Sequence, residues 1–394
     1  MEDNSVTKLS IFNSIVKMLI TAMSFFLGVY YNSIGLTGAQ IGIIFALGTI
    51  TSIITILPSG LSNDRLKSKH LIGIALTLIA IFYFGLSQTH NFYIIALMAL
   101  LGGMGGTIYT TSSESLFYKS TNKDQVSKKI GIFQGLNYLM VGLGMICAGF
   151  LLEKNLPFEK LFFFFAIAFL AMTLISQITL PKNKTSQFAL LQYKKDIFRP
   201  KILLFLLIMF LFAIHFGAES TTYGLFLRKT LNLTTLQMGL YMGFAIMTMA
   251  LAVQIISKKL HKWKTQYILA MGLFMSGAGH ILMTINDPII SAFFRIFHEI
   301  GDAAMFFFVY YGITNLFDLK RIGGNASIFT FTATIGSATG AIIFGPMGES
   351  LGYHVPLIVS GSTTLLALAL SIQFLHYFDH HHEYSNHEYS SNRP

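Results

Sequence analysis

Twelve apolar runs follow one another through 394 residues, and nothing else in the sequence restricts the fold as tightly. A helix needs about 20 apolar residues to cross the ~30 Å hydrocarbon core of a bilayer. With polar breaks read as loops, the runs fall at 10–32, 39–61, 70–88, 91–116, 130–152, 160–180, 201–227, 235–257, 266–285, 288–315, 323–345 and 354–377. Lipid cannot hydrogen-bond backbone N–H and C=O groups, so only helices or closed barrels cross it. The alternating pattern of barrel strands is absent. Charged residues make up 11% of the chain, against roughly 25% in soluble domains. The expected fold class is therefore an all-α integral membrane protein with twelve transmembrane helices.

The basic residues set the orientation. With a cytoplasmic N-terminus, 21 of the 27 Lys and Arg lie in inside segments, and only Lys154, Lys160, Arg228 and Lys229 lie outside. Such a bias marks the cytoplasmic face. Both termini are expected inside, in a multi-pass protein of the plasma (cell inner) membrane. The net charge of +10 then reflects topology, and no nucleic-acid partner is expected. The opening "MEDNSVTK" lacks the features of a cleavable leader, so the first run is expected to stay as an anchor. The single cysteine, Cys147, excludes a disulfide framework and a Cys-based zinc site.

The halves echo each other. "GLTGAQIGIIFA" at 35–46 and "NLTTLQMGLYMG" at 232–243 share L-T-x-x-Q-x-G at an offset of 197 residues. Internal repeats of this kind signal duplicated helix bundles with binding between them near the midplane. The boundaries read as an N-terminal six-helix bundle at 1–180, a cytoplasmic linker loop at 181–200 and a C-terminal six-helix bundle at 201–378. A disordered, His-rich cytoplasmic tail is expected at 379–394.

Twelve spans as six plus six, with "GLSNDRLKSKH" between the second and third, resemble the major facilitator superfamily. The family's signature in this loop is G-x-x-x-D-R/K-x-G-x-R/K-R/K. The chain supplies Gly60, Asp64, Arg65, Lys69 and, more loosely, His70, with Lys67 where a second Gly is usual. The resemblance implies two pseudo-symmetric bundles, a gating role for this motif, and a cavity lined by spans one, four, seven and ten. Asp64 is suited to cap a helix or hold a charge partner on the opposite bundle, since topology alone does not need it.

Two of those cavity spans carry ionisable groups. Such groups are costly in a membrane and usually face a cavity or each other. Arg295, Glu299 and Asp302 form an i, i+4, i+7 stripe on span ten, bordered by His298. His215 and Glu219 share a face of span seven. These six are the expected substrate- or proton-binding residues. Arg295 is placed to pair with Glu299, leaving Glu219 and Asp302, with no local Arg, as the expected titrating groups. Secondary candidates are Lys17, Tyr31 and Asn32 on span one and Glu114 on span four. Lys17 is expected to snorkel to the cytoplasmic surface, and Glu114 to act in closure of the inside end. The family's span-four Arg is missing, with Met98 and Ala99 where it could sit, so a mechanism built on that Arg does not carry over.

The family's antiporter glycine ladder is incomplete on span five, whereas span eleven carries Gly345 and Pro346. Export is mildly favoured. No enzymatic activity, cofactor or metal site is expected, and the tail histidines read as a polar tail. The function expected is secondary active transport, proton-coupled, of a cationic, zwitterionic or amphipathic small molecule by a monomer in the lipid bilayer. Import of a polar metabolite, export of a metal chelator or lipid-like compound, and a non-transporting membrane sensor are the alternatives.

Overall fold

The computed structural model describes residues 2–121, 123–183, 185, 190–260 and 262–373, which form helices and turns but no strand. The tail expected at 379–394 lies outside the described residues. Helices α1 (Glu2–Ser24) and α2 (Leu27–Ser33) share the first pass, which bends at Phe25 and Phe26. Further passes are α3 (Gly38–Arg65), α4 (Ser68–Gln88), α5 (Phe92–Lys119), α6 (Val126–Glu153) and α7 (Phe158–Thr179). A short helix, α8 (Leu190–Ile197), leads to α9 (Pro200–Ala218), α10 (Thr235–Lys259) and α11 (Thr265–Leu282). The described chain ends with α12 (Pro288–Leu316), α13 (Ile322–Leu351) and α14 (His354–Gln373).

Among the described residues, ten stretches are long and apolar enough to cross a membrane. The two remaining long helices, α11 and α12, carry His280, Arg295, His298, Glu299 and Asp302, which lower their hydropathy. They pack against each other and against α10 and α14 within the same bundle. Their polarity belongs to the site they build; counted with the ten, these two helices bring the described residues to the twelve passes expected.

The sequence repeat has a backbone cause. Thr37 with Gln40, and Thr234 with Gln237, form matching capping boxes that start α3 and α10. Four described residues have left-handed φ, and they fall into two pairs 197 residues apart: Gly35 with Asn232, and Asn155 with Gly352. Glycine and asparagine tolerate this conformation best. The same turns therefore introduce the second and sixth passes of each half.

Among the described residues, two main seams join the halves. Helices α6 and α10 pack along their length, from reciprocal Ser127–Ser257 hydroxyl-to-carbonyl bonds of 2.7 and 2.9 Å to a 2.5 Å bond from Thr235 Oγ1 to Glu153 Oε2. Helices α3 and α13 meet where Gly60 faces Ser327 and Gly323.

The segment 181–200, expected as a loop, contains α8, and tertiary bonds explain the difference. Tyr193 donates to Asp64 Oδ2 at 3.0 Å, while Asp196 accepts from Arg321 Nε at 3.0 Å and Asn325 Nδ2 at 2.9 Å. Eight residues form a marginal helix alone. Here all three partners, Asp64, Arg321 and Asn325, lie outside the segment.

Candidate functional site

Close helix crossings build a polar cluster in the second half. A Cβ on Gly279 would stand 2.7 Å from the backbone nitrogen of His298, and one on Gly301 would overlap Ser276 of α11. These glycines let α11 and α12 touch backbone to backbone, which brings His280 beside His298. Gly217 and Gly340 do the same for α9 and α13. At Glu219 the helix of α9 widens into a π turn, Glu219–Tyr223. Single π turns recur at functional sites because they redirect side chains.

Arg295 lies at the centre. Its Nη1 donates to Glu219 Oε1, and its Nη2 donates to Glu299 Oε1 at 2.5 Å. The guanidinium carbon sits 4.6 Å from the Tyr223 ring centroid. Tyr223 donates to Tyr241, and the Tyr241 and Ser291 hydroxyls are 2.7 Å apart. The expectation that Glu219 lacks an arginine is thus overturned: Arg295 reaches across from α12 to α9, a contact that spacing along one helix does not reveal.

Below Arg295 lie three imidazoles and Asp302. His215 Nε2 is 3.4 Å and His298 Nε2 is 3.5 Å from Asp302 Oδ2. His298 Nε2 is 3.2 Å, and His280 Nδ1 3.8 Å, from Glu219 Oε1. His215, His280 and His298 are fully buried, and Asp302 is nearly so. Glu219 is the more open member, at 19% side-chain exposure. All six expected residues therefore meet. His280 was not foreseen, because a lone histidine in the apolar run of α11 has no charged neighbour on its own helix, and only Ser276 one turn away is polar. Although no metal site was expected, two sets in this cluster could hold an ion: His215, His298 and Asp302; and Glu219, His280 and His298.

The loop motif builds a second constellation, where α3 meets α13. Asp64 is fully buried and accepts from the backbone N–H groups of Gly323 and Gly324 at 3.0 and 2.8 Å. These amides belong to the first turn of α13, where unpaired N–H groups and the helix dipole favour an anion. Lys119 Nζ of α5 approaches Asp64 Oδ1 at 2.9 Å. Gly60 permits the approach, and Lys69 donates instead to the Gln177 carbonyl at 3.1 Å. Arg65 is exposed.

The first half has a different character. Lys17 does not snorkel: its Nζ bonds Thr110 Oγ1 at 3.3 Å and lies 6.0 Å from the Tyr109 ring centroid. Glu114 accepts from Tyr310 of α12 at 2.9 Å, a bond between the halves. Tyr31 is buried and Asn32 exposed. Tyr31, Phe45, Phe82, Tyr83 and Gly102 help line a mostly apolar cleft of 270 Å³. At the repeat offset of 197, Tyr83 corresponds to His280, and Gly102 to Glu299. The pseudo-equivalent place is apolar in one half and charged in the other.

The model described as Major Facilitator Superfamily matches residues 9–290. The quinolone resistance protein NorA of Staphylococcus aureus is 28% identical over 163 residues, a stretch covering 41% of this chain and 41% of NorA. The alignment thus spans under half the length of these curated relatives. Among solved structures, the human organic anion transporter MFSD10 (TETRAN) superposes with a TM-score of 0.75 at 15% identity, over 94% of this chain and 99% of that one. A bacterial homologue of the iron transporter ferroportin, in an outward-facing state, gives 0.72 at 12% identity, over 93% and 98%. Such identities establish a shared fold. With most of its length matched by the family model and this fold along nearly all of it, the chain belongs to the Major Facilitator Superfamily and is an integral, multi-pass membrane protein.

Proposed function

We propose that the protein is a secondary active transporter that exports a cationic or amphipathic small molecule by alternating access, in exchange for protons. The observation that carries this reading is the buried cluster of three carboxylates, one arginine and three imidazoles on α9, α11 and α12. Without histidine protonation its formal charge is −2, which favours cationic cargo. The apolar cleft in the first half offers a place for a hydrophobic portion. In this reading the moving units are residues 1–180 and 201–378, linked by 181–200, and one monomer suffices.

With both termini inside, the Asp64 end is cytoplasmic. The bonds of Asp64 to α13 and of Glu114 to Tyr310 both cross between the halves, so both must break for that end to open. Glu114 then exchanges a protein partner for water. A carboxylate whose surroundings change with the transport cycle is a physical means of taking up and releasing a proton. The resistance named for NorA is consistent with outward movement.

Everted membrane vesicles test the reading. Vesicles containing the protein should accumulate a fluorescent organic cation when the proton gradient is imposed, and nigericin should abolish that accumulation. Glu114→Gln should leave the protein inserted but make the residual flux indifferent to the gradient. Accumulation that survives nigericin would remove proton drive, and an absence of flux for any organic or inorganic cation would remove transport.

A further inference from the structure

We propose that His215, His298 and Asp302, with Glu219 at the approach, bind a divalent transition-metal cation of the zinc class as cargo. This deepens the transport reading above and rests on it for the word cargo; the binding site itself stands on geometry.

The first support is the state of the ring nitrogens. His215 Nδ1 is 2.5 Å from the Phe212 carbonyl oxygen, and His298 Nδ1 is 2.8 Å from that of Ser276. A carbonyl only accepts, so each Nδ1 carries the hydrogen, and in the neutral form of each ring the lone pair lies on Nε2. Both Nε2 atoms face Asp302 Oδ2, which as a carboxylate only accepts. A backbone carbonyl on the far ring nitrogen is also how metal-bound histidines are commonly held. His298 Nε2, Asp302 Oδ1 and both His280 nitrogens are buried without a hydrogen-bond partner. Such orphaned groups are rare and costly unless something comes between them.

Spacing is the second support. With ligand bonds of about 2.0–2.2 Å, two ligands on a tetrahedral ion stand roughly 3.3–3.6 Å apart. The separations of 3.4 and 3.5 Å to Asp302 Oδ2, and of 3.2 Å from His298 Nε2 to Glu219 Oε1, are close to this. No two ligand atoms of the His215, His298 and Asp302 set are farther apart than 4.8 Å. His298 also belongs to the second set, with Glu219 and His280, so it joins the more open edge of the cluster to its interior.

Charge gives the third. Glu219, Glu299 and Asp302 against Arg295 leave a formal −2, which one divalent ion cancels. Protons are the competing solution. The three rings lie within 4.8–5.3 Å of one another, centroid to centroid, so two imidazolium ions here would repel strongly. A metal neutralises the same charge while the rings stay neutral.

The test uses the full chain, purified without a histidine tag, and Zn²⁺ or Co²⁺ alone as probe. Competition against a chromophoric chelator should show one more Zn²⁺ bound to wild type than to His298→Gln or His215→Gln, with tail histidines common to all. Loss of a direct ligand should weaken binding by more than the roughly 10–100-fold typical of losing an outer hydrogen-bond partner. His90→Gln, a surface change, should leave the buried ion in place. Should the variants fold poorly by thermal unfolding, wild type decides the matter: Co²⁺ in this site should show the intense visible bands of tetrahedral coordination. Equal zinc binding in folded variants, or Co²⁺ bands only of the weak octahedral kind, overturns the metal site. If organic cations still move in that case, the transport reading survives alone. Zinc bound in the cluster, with proteoliposomes that move neither zinc nor any organic cation, would leave a metal site without transport.

Discussion

Arg295 holds carboxylates on two helices, so its removal strands two buried charges at once. Breaking a buried ion pair by deleting one partner costs roughly 3–5 kcal/mol. Arg295→Met should therefore lower the unfolding temperature in detergent sharply. Adding Glu299→Gln should restore only part of the loss, because Glu219 has also lost its arginine; adding Glu219→Gln as well should restore most of it. Full recovery in the double variant would mean that the Glu219 contact contributes little. The pairing with Glu299 was legible one turn along a single helix, as was the 295–299–302 stripe. The Glu219 contact and the part played by His280 were not, since both depend on which faces α9, α11 and α12 turn toward each other. The backbone contact at Gly301 and Gly279 settles that, and no local pattern announces it.

At the scale of elements, the glycine crossings and α8 can each be tested. Gly301→Ala places a methyl group in the backbone of α11, and overpacking of this kind costs about 1–3 kcal/mol. Gly42→Ala meets no atom within 4 Å and should be nearly neutral. Equal melting temperatures for the two variants would refute the close-contact account. For α8, burial pushes the Asp196 carboxyl up, but hydrogen bonds from Arg321 and Asn325 outweigh it and hold the group below its ordinary value. A folded value below the unfolded one stabilises the attachment above the unfolded pKa, and the benefit disappears as pH falls through the folded value. A spin label at exposed Gln192 should thus report unchanged mobility between about pH 7 and about pH 5, with release only below the ordinary Asp value near ~3.9. Asp196→Asn should raise that mobility at neutral pH. Loosening on mild acidification in the wild type would contradict the bond set. Apolar runs disclosed the long helices because the period and length of burial are written locally. They could not disclose α8, whose partners lie far away in the chain.

For the whole molecule, the question is whether the Asp64 contacts hold one end of the two halves together. The motif and the repeat were readable from sequence, and the structure adds the partners: the Gly323 and Gly324 amides, Lys119 and Tyr193 around one carboxylate. The contrast between the halves was only partly readable, because an apolar cleft opposite a charged cluster emerges once the repeat offset is laid onto the fold. Asp64→Asn keeps the shape but removes the charge that the α13 N-terminus and Lys119 attract. The closed end should then open more often. Spin labels at Arg65 and Lys320 sit at that end, while labels at Asn32 and Lys229 sit at the other, and all four positions are exposed. After replacement of exposed Cys147, which would otherwise take up label, pulsed electron resonance should show the 65–320 distance lengthening in Asp64→Asn. If the halves rock as rigid bodies about the α6–α10 seam, as the proposed transport cycle requires, the 32–229 distance should shorten in the same population. Lengthening at one end with no change at the other would indicate local fraying of α3 and α13. Identical distributions in wild type and variant would show that the Asp64 contacts do not govern closure at all.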